Sequence, residues 1–273
     1  MLIDTHCHLD AAEFAADRDD IFARAQAAGV GAQVVPAVAA ATFVDVQACC
    51  RRYGGCFPAY GIHPMYTPRA GNEDCAILRR WLTAELGGPQ APVAVGEIGL
   101  DLYVPQLQQG EGLARQEAFF VEQLKIARDF DLPVILHIRR AVDPILKQLR
   151  RFRPRGGIAH AFNGSRQQAE AFIALGFKLG FGGSMTFSGS TRIRELATTL
   201  PLEALVLETD APDIPPAFLT PGSDRRNKPE YLPRFALALA ELRGIPLAAV
   251  TTATSANALA ALPGLAATFR AAP

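Results

Sequence analysis

The chain has 273 residues, 49% of them apolar, and its 27 basic residues are balanced by 27 acidic ones. A neutral chain of this length has the material for a large core, and it lacks the basic field with which proteins coat nucleic acid. The five cysteines, Cys7, Cys49, Cys50, Cys56 and Cys75, are odd in number and show no Cys-x-x-Cys spacing. This argues against a disulfide framework and for reduced thiols in a cytoplasmic protein.

The N-terminus enters an apolar strand at residues 2–4, with nothing that reads as a signal peptide. It continues as Thr5-His6-Cys7-His8. Residues two apart on an extended chain face the same way, so His6 and His8 project together. Cys7 points away and reads as a small buried hydrophobe. A helix over 14–28 stops at Gly29. Then come a strand at 32–38, a helix at 42–53 and a third strand at 57–60 that leads to His63. A helix at 73–86 precedes the fourth strand, 92–96, which Glu97 ends, and a long helix covers 113–130.

The fifth strand, 133–137, ends on His137 and is followed by a helix at 142–152. The sixth, 157–160, ends on His160 and is followed by a helix at 165–175. After the seventh strand, 177–180, and a helix at 191–200, the eighth, 205–209, leads to Asp210. Residues 211–229 are rich in Pro, Gly and Asp and read as a long loop, and two helices near 229–243 and 246–262 follow. The apolar stretch 25–44 carries Gln26, Gly29, Gly31, Gln33 and Pro36, and fails as a membrane span. No other span is expected.

Eight strands with helices between them make an α/β fold, the (β/α)₈ TIM barrel, as one domain over residues 1–273. Active sites of such barrels lie at the C-terminal strand ends. His6, His8, Glu97, His137, His160 and Asp210 all fall there. Four imidazoles and two carboxylates suffice for two divalent metal ions, with one carboxylate shared. Imidazole ligands suit Zn²⁺ or Mn²⁺ on ligand preference.

The chain resembles the TatD family of metal-dependent deoxyribonucleases and hydrolases, and within it the YjjV-like branch. The resemblance rests on Asp4-Thr5-His6-Cys7-His8-Leu9-Asp10, Gly61-Ile62-His63-Pro64, Gly96-Glu97-Ile98-Gly99-Leu100-Asp101, His137-Ile138-Arg139, His160-Ala161-Phe162, Glu208-Thr209-Asp210-Ala211-Pro212 and Arg226-Asn227-Lys228-Pro229. It implies that His6, His8 and Asp210 hold one metal, that His137 and His160 hold the other, and that Glu97 bridges them. Mg²⁺ is a further candidate by the same resemblance. Ala161 departs from a His-Cys-Phe triplet common in the family.

The activity implied is hydrolysis of phosphodiester bonds, as a DNA exonuclease on single strands or ends, with an activated water as nucleophile and Asp210 and Glu97 as catalytic groups. Ester or amide hydrolysis at the same site, such as aminoacyl-tRNA deacylation, is the alternative. His63, Arg139, Arg226 and Asn227 are candidate substrate contacts. Arg139 has a structural ion pair with Asp101 or Glu208 as its other reading, and Asn227 has turn chemistry. Glu208 either fixes a ligand or sits in the core. The basic run 150–155 falls at the far end of the barrel and reads as a solvated helix end, and Trp81 reads as core or partner surface. A neutral barrel without an apolar stripe is expected to be a monomer.

Overall fold

The computed structural model describes residues 1–220, 222 and 224–266; residues 221 and 223, within the expected mouth loop, and 267–273 lie outside it. Eight strands, β1 (Leu2–Asp4), β2 (Val30–Pro36), β3 (Cys56–Tyr60), β4 (Ala94–Asp101), β5 (Val134–Arg139), β6 (Gly157–Ala159), β7 (Phe177–Phe181) and β8 (Leu205–Leu207), form one sheet in chain order. Each pairs in parallel with the next. Between them run α1 (Arg18–Ala27), α2 (Phe43–Arg52), α3 (Asp74–Glu85), α4 (Gly110–Asp129), α5 (Val142–Phe152), α6 (Arg166–Ala174) and α7 (Thr191–Thr199), and α8 (Leu232–Arg243) and α9 (Leu247–Ala261) follow β8. This is the expected TIM barrel. No single helix among the described residues is long and apolar enough to cross a membrane.

The barrel closes just beyond the ends of β1 and β8. Thr5 donates its N–H to Leu207 O (3.1 Å), Asp210 to His6 O (2.8 Å) and His8 to Ala211 O (2.8 Å). Cys7 and Ala211 form a parallel bridge there, and Cys7 is fully buried. The seam that shuts the barrel therefore carries His6, His8 and Asp210.

Two apolar clusters hold the layers. The larger joins strand residues such as Val35, Val95, Leu136 and Leu207 to helix residues such as Ile21, Val46, Leu124 and Phe235. The smaller gathers Ile3, Val34, Ala59, Ala94, Ile135, Ile158 and Val206, from seven different strands. Side chains from seven strands meet only inside a barrel. Ala258, Ala261 and Leu262, from α9 and just beyond it, join that cluster, so the last helix closes the N-terminal end. The basic run 150–155 leaves α5 at that same end, and Trp81 packs between Phe43 and Tyr60.

The fourth strand departs from the sequence reading. It runs past Glu97 to Asp101, and Val95 pairs with Val134 while Ile98 pairs with Leu136. Three steps on β4 against two on β5 make a bulge, which bends a strand and re-aims a side chain. Glycine permits it at Gly96, where a Cβ would stand 2.7 Å from Ile135 Cβ. Just beyond the bulge, Gly99 has φ +150°, and a Cβ on it would stand 2.0 Å from His137 O. The glycines of Gly96-Glu97-Ile98-Gly99 keep the strand continuous by letting β5 approach.

Gly99→Ala is expected to cost about 2–4 kcal/mol of stability, from strain at φ and displacement of β5. Urea unfolding checks it, and an unchanged midpoint would contradict this account of the β4–β5 pairing.

Candidate metal centre

His6 Nε2 lies 3.2 Å from Glu97 Oε2 and 3.5 Å from Asp210 Oδ1. His8 Nε2 is 3.8 Å from each of the same two oxygens and 3.2 Å from His6 Nε2. His160 stacks on His6 with ring centroids 3.7 Å apart, and its Nε2 lies 3.5 Å from Asp210 Oδ1. The other oxygen of Glu97 faces a different pair. Oε1 is 2.9 Å from His137 Nδ1 and 3.5 Å from His63 Nε2, and those two rings approach to 3.0 Å.

Three donor sets result, His6 with His8 and Glu97, His6 with His160 and Asp210, and His63 with Glu97 and His137. The grouping differs from the partition that the resemblance implies. His160 sits with His6 and Asp210, and His63, read as a substrate contact, stands among the donors. Donors bound at 2.0–2.2 Å to one ion in a tetrahedral or octahedral shell lie about 3–3.5 Å apart. Most of the separations fit, and the two of 3.8 Å from His8 are somewhat longer. The chemistry fits as well, because the approaching imidazole nitrogens and carboxylate oxygens repel as lone pairs unless a proton or cation lies between them.

Supports for these groups come from residues the sequence reading did not assign to the site. Asp101 Oδ2 is 3.0 Å from His137 Nε2, and Asp101 Oδ1 accepts the N–H groups of Tyr103 (2.8 Å) and Val104 (3.0 Å). Burial pushes the Asp101 carboxyl up, but His137 and the two N–H groups outweigh it and hold it at about 2. Gln116 accepts the Asp101 N–H (2.9 Å) and donates to Asp101 O (3.2 Å). Gln123 accepts the Ile62 N–H (2.6 Å) and donates to Ile62 O (3.0 Å). These glutamines are seven apart on α4, on one face, and both are fully buried. They fix the backbone beside His63 and at Asp101. Two buried amides at helical spacing are the signal that marks them.

Glu208 is buried, with Oε1 3.1 Å from His160 Nδ1 and accepting the Ala161 N–H. Of its two readings, the one that fixes a site histidine describes the contact. Asp4 ties the seam together by accepting the Thr209 N–H (2.9 Å) and hydroxyl (2.6 Å) and the His6 N–H (3.3 Å). Burial raises its carboxyl to about 7 against those hydrogen bonds.

Charge is divided sharply across the cluster. Burial pushes Glu97 up, but His63, His6 and His137 outweigh it and hold it well below the usual carboxylate range. Asp210 is lowered likewise, burial being outweighed by His160, His6 and His8. Burial brings His63 down to about 4 and also lowers His6, with His160 adding to the effect. His137 and His160 are raised, because their acidic partners outweigh burial. Asp210 adopts φ +59°, a sparsely populated conformation that Asp tolerates better than most residues. Its N–H bond to His6 O holds it there.

Two expected substrate contacts are engaged within the protein itself. All five N–H groups of Arg226 are taken, by Asp17, Asp224 and Glu13 O. Arg226 clasps the loop after β8 onto the segment before α1. Asn227 is fully buried, its amide donates to Thr209 O and Ile214 O, and its Oδ1 accepts the Lys228 N–H. This is the turn chemistry left open for it. Arg139 instead is half-exposed, 3.9 Å from Asp101 Oδ2.

Glu208→Gln is expected to weaken divalent metal binding by roughly 10- to 100-fold, as loss of an outer partner of a ligating histidine does. Glu97→Gln should reduce it further, since Glu97 belongs to two donor sets. Equilibrium dialysis with Mn²⁺ or Zn²⁺ measures both, and wild-type affinity in either variant would contradict the assignment.

Residues 3–263 match the family model described as TatD related DNase. The chain is 42% identical over 245 residues to the metal-dependent hydrolase YjjV of Escherichia coli K12, covering 89% of this chain and 91% of the relative. It is 33% identical over 262 residues to the 3′-5′ ssDNA/RNA exonuclease TatD of the same organism, covering 94% and 96%. The crystal structure of E. coli YjjV superposes with a TM-score of 0.89 at 39% identity, covering 96% of this chain and 98% of that one. The chain belongs to the TatD family of metal-dependent hydrolases.

Proposed function

We propose that this protein is a divalent-metal-dependent exonuclease that hydrolyses phosphodiester bonds at the ends of DNA single strands. The observation that carries the reading is Glu97, whose two carboxylate oxygens face two different groups of histidines in one barrel mouth. A shared carboxylate of that kind suits two ions about 3.5–4 Å apart, the spacing used to clamp a phosphoryl group. The relative named a 3′-5′ ssDNA/RNA exonuclease supports the nucleic-acid class.

In this reading His6, His8, Glu97, His137, His160 and Asp210 hold two ions, Mg²⁺, Mn²⁺ or Zn²⁺. When bound, the ions lower the pKa of water and neutralise phosphate charge. The protein's own groups do the rest. Asp210 is held as a carboxylate and takes the proton of the attacking water. Asp101 fixes the ring of His137 through Nε2. Glu208 does the same for His160. His63 and Arg139 meet the substrate phosphate. A neutral chain suits a local grip on a strand end better than sliding along duplex. The enzyme is read as a cytoplasmic monomer with its five cysteines reduced.

The test is metal-free protein with an end-labelled single-stranded DNA oligonucleotide, supplied in turn with Mg²⁺, Mn²⁺ and Zn²⁺. Stepwise shortening that requires metal, and falls by at least about 10²-fold in His137→Ala, is expected. No cleavage with any ion, by folded protein that binds metal, would overturn the nuclease reading in favour of ester or amide substrates.

A further inference from the structure

Among the described residues the exposed aromatic side chains are Tyr66, Tyr103 and Phe187. Each stands in a loop that follows a strand's C-terminal end, after β3, β4 and β7. Among the described residues, exposed rings are therefore confined to the mouth.

Two of the three are tied to the histidine pair at the centre. Tyr66 lies edge-on to His63, with ring centroids 6.1 Å apart, and the Arg69 guanidinium carbon is 5.8 Å from the Tyr66 ring centre. Tyr103 gives its N–H to Asp101, the carboxylate that contacts His137. The guanidinium carbons of Arg139 and Arg140 lie 3.8 and 4.8 Å from its ring centre. Consecutive residues of an extended strand point to opposite sides. A left-handed turn at Arg140, φ +56°, accompanies the convergence of both on one ring. Such a conformation is uncommon for a residue like arginine and clusters at functional positions. Arg69 and Arg140 form no ion pair with the described residues, so their charge is available to an anion.

We propose that Tyr66 and Tyr103 are base-stacking platforms flanking the His63–His137 pair, with Arg69, Arg139 and Arg140 taking the adjoining phosphates. The inference rests on the reading of the substrate as a nucleic-acid strand, and it names the side chains that hold its bases. An aromatic face accepts any base that is unstacked, whereas bases inside a duplex have no free face to offer. The rings stand beside a cationic rim on a chain of zero net charge, so recognition is local and favours a single strand with splayed bases over duplex.

The test measures binding of metal-loaded protein to a fluorescein-labelled oligothymidylate with phosphorothioate linkages, which resist cleavage. An abasic strand of the same length and charge is measured beside it. Wild type is expected to bind the base-bearing strand roughly 10- to 100-fold more tightly. Y66A/Y103A should bind the two strands alike, and Y66F/Y103F should keep the preference, because the ring and not the hydroxyl makes the stack. Equal binding of both strands by wild type, or a preference that survives in Y66A/Y103A, would overturn the proposal. Cleavage of an ordinary oligonucleotide by wild type is scored separately. Base preference without cleavage removes the nuclease reading and keeps the platforms, and cleavage without base preference does the reverse.

Discussion

Five imidazoles and several carboxylates share a space from which most water is excluded, and the rest of the molecule answers to that fact. His6, Glu97, Asp101 and Glu208 are almost wholly buried, and His63 and His160 nearly so. Taking one ion out of water costs several kcal/mol even after relaxation, and apolar side chains of similar volume are often more stable in its place. The cluster is thus a burden on stability that the fold must offset. The supports follow from this need. Asp101, Asp4 and Glu208 each face a polar partner, and Gln116 and Gln123 clasp the backbone that carries two of the groups. A cation at the centre would remove the remaining repulsion between the inward-facing nitrogens and oxygens.

The barrel and the centre are built from the same hydrogen bonds. The β1–β8 seam is made by the peptides of Thr5, His6, His8 and Asp210, so closing the barrel fixes three donors at once. Opposite the seam, the bulge in β4 turns Glu97 between two groups of histidines. The loop after β8 is held down by Arg226 on Asp17 and by the buried Asn227. The mouth is therefore pre-organised by links that cross its rim, which limits the reorganisation that binding or reaction demands.

Much of this was legible in the sequence. Strand and helix periods alternate cleanly, and the bland histidine count let each imidazole be tied to a strand end. His6, His8, Glu97, His137, His160 and Asp210 stand together in the structure. The fourth strand runs past the expected end at Glu97 because its glycines let β5 approach closely, a contact with a segment distant in sequence. Asp101 was read only as an ion-pair partner for Arg139, and its place against His137 depends on that longer strand. Gln116 and Gln123 escaped because a polar residue on a helix normally faces solvent, and their burial depends on a loop and a strand distant in sequence. Arg226 and Asn227 show the opposite case, polar groups of the mouth loop that the fold itself engages. Polar residues in a mouth loop suggest substrate, but two of the partners that occupy Arg226, Glu13 O and Asp17, lie about 210 positions earlier in the chain.

The most direct measurement is anomalous X-ray scattering from crystals of the protein grown with Mn²⁺. The account predicts anomalous peaks in the barrel mouth, against Glu97 and the nitrogens of His6, His8 and His137. A well-ordered mouth with these side chains in place and no anomalous density between them would contradict the claim that the cluster is a metal centre.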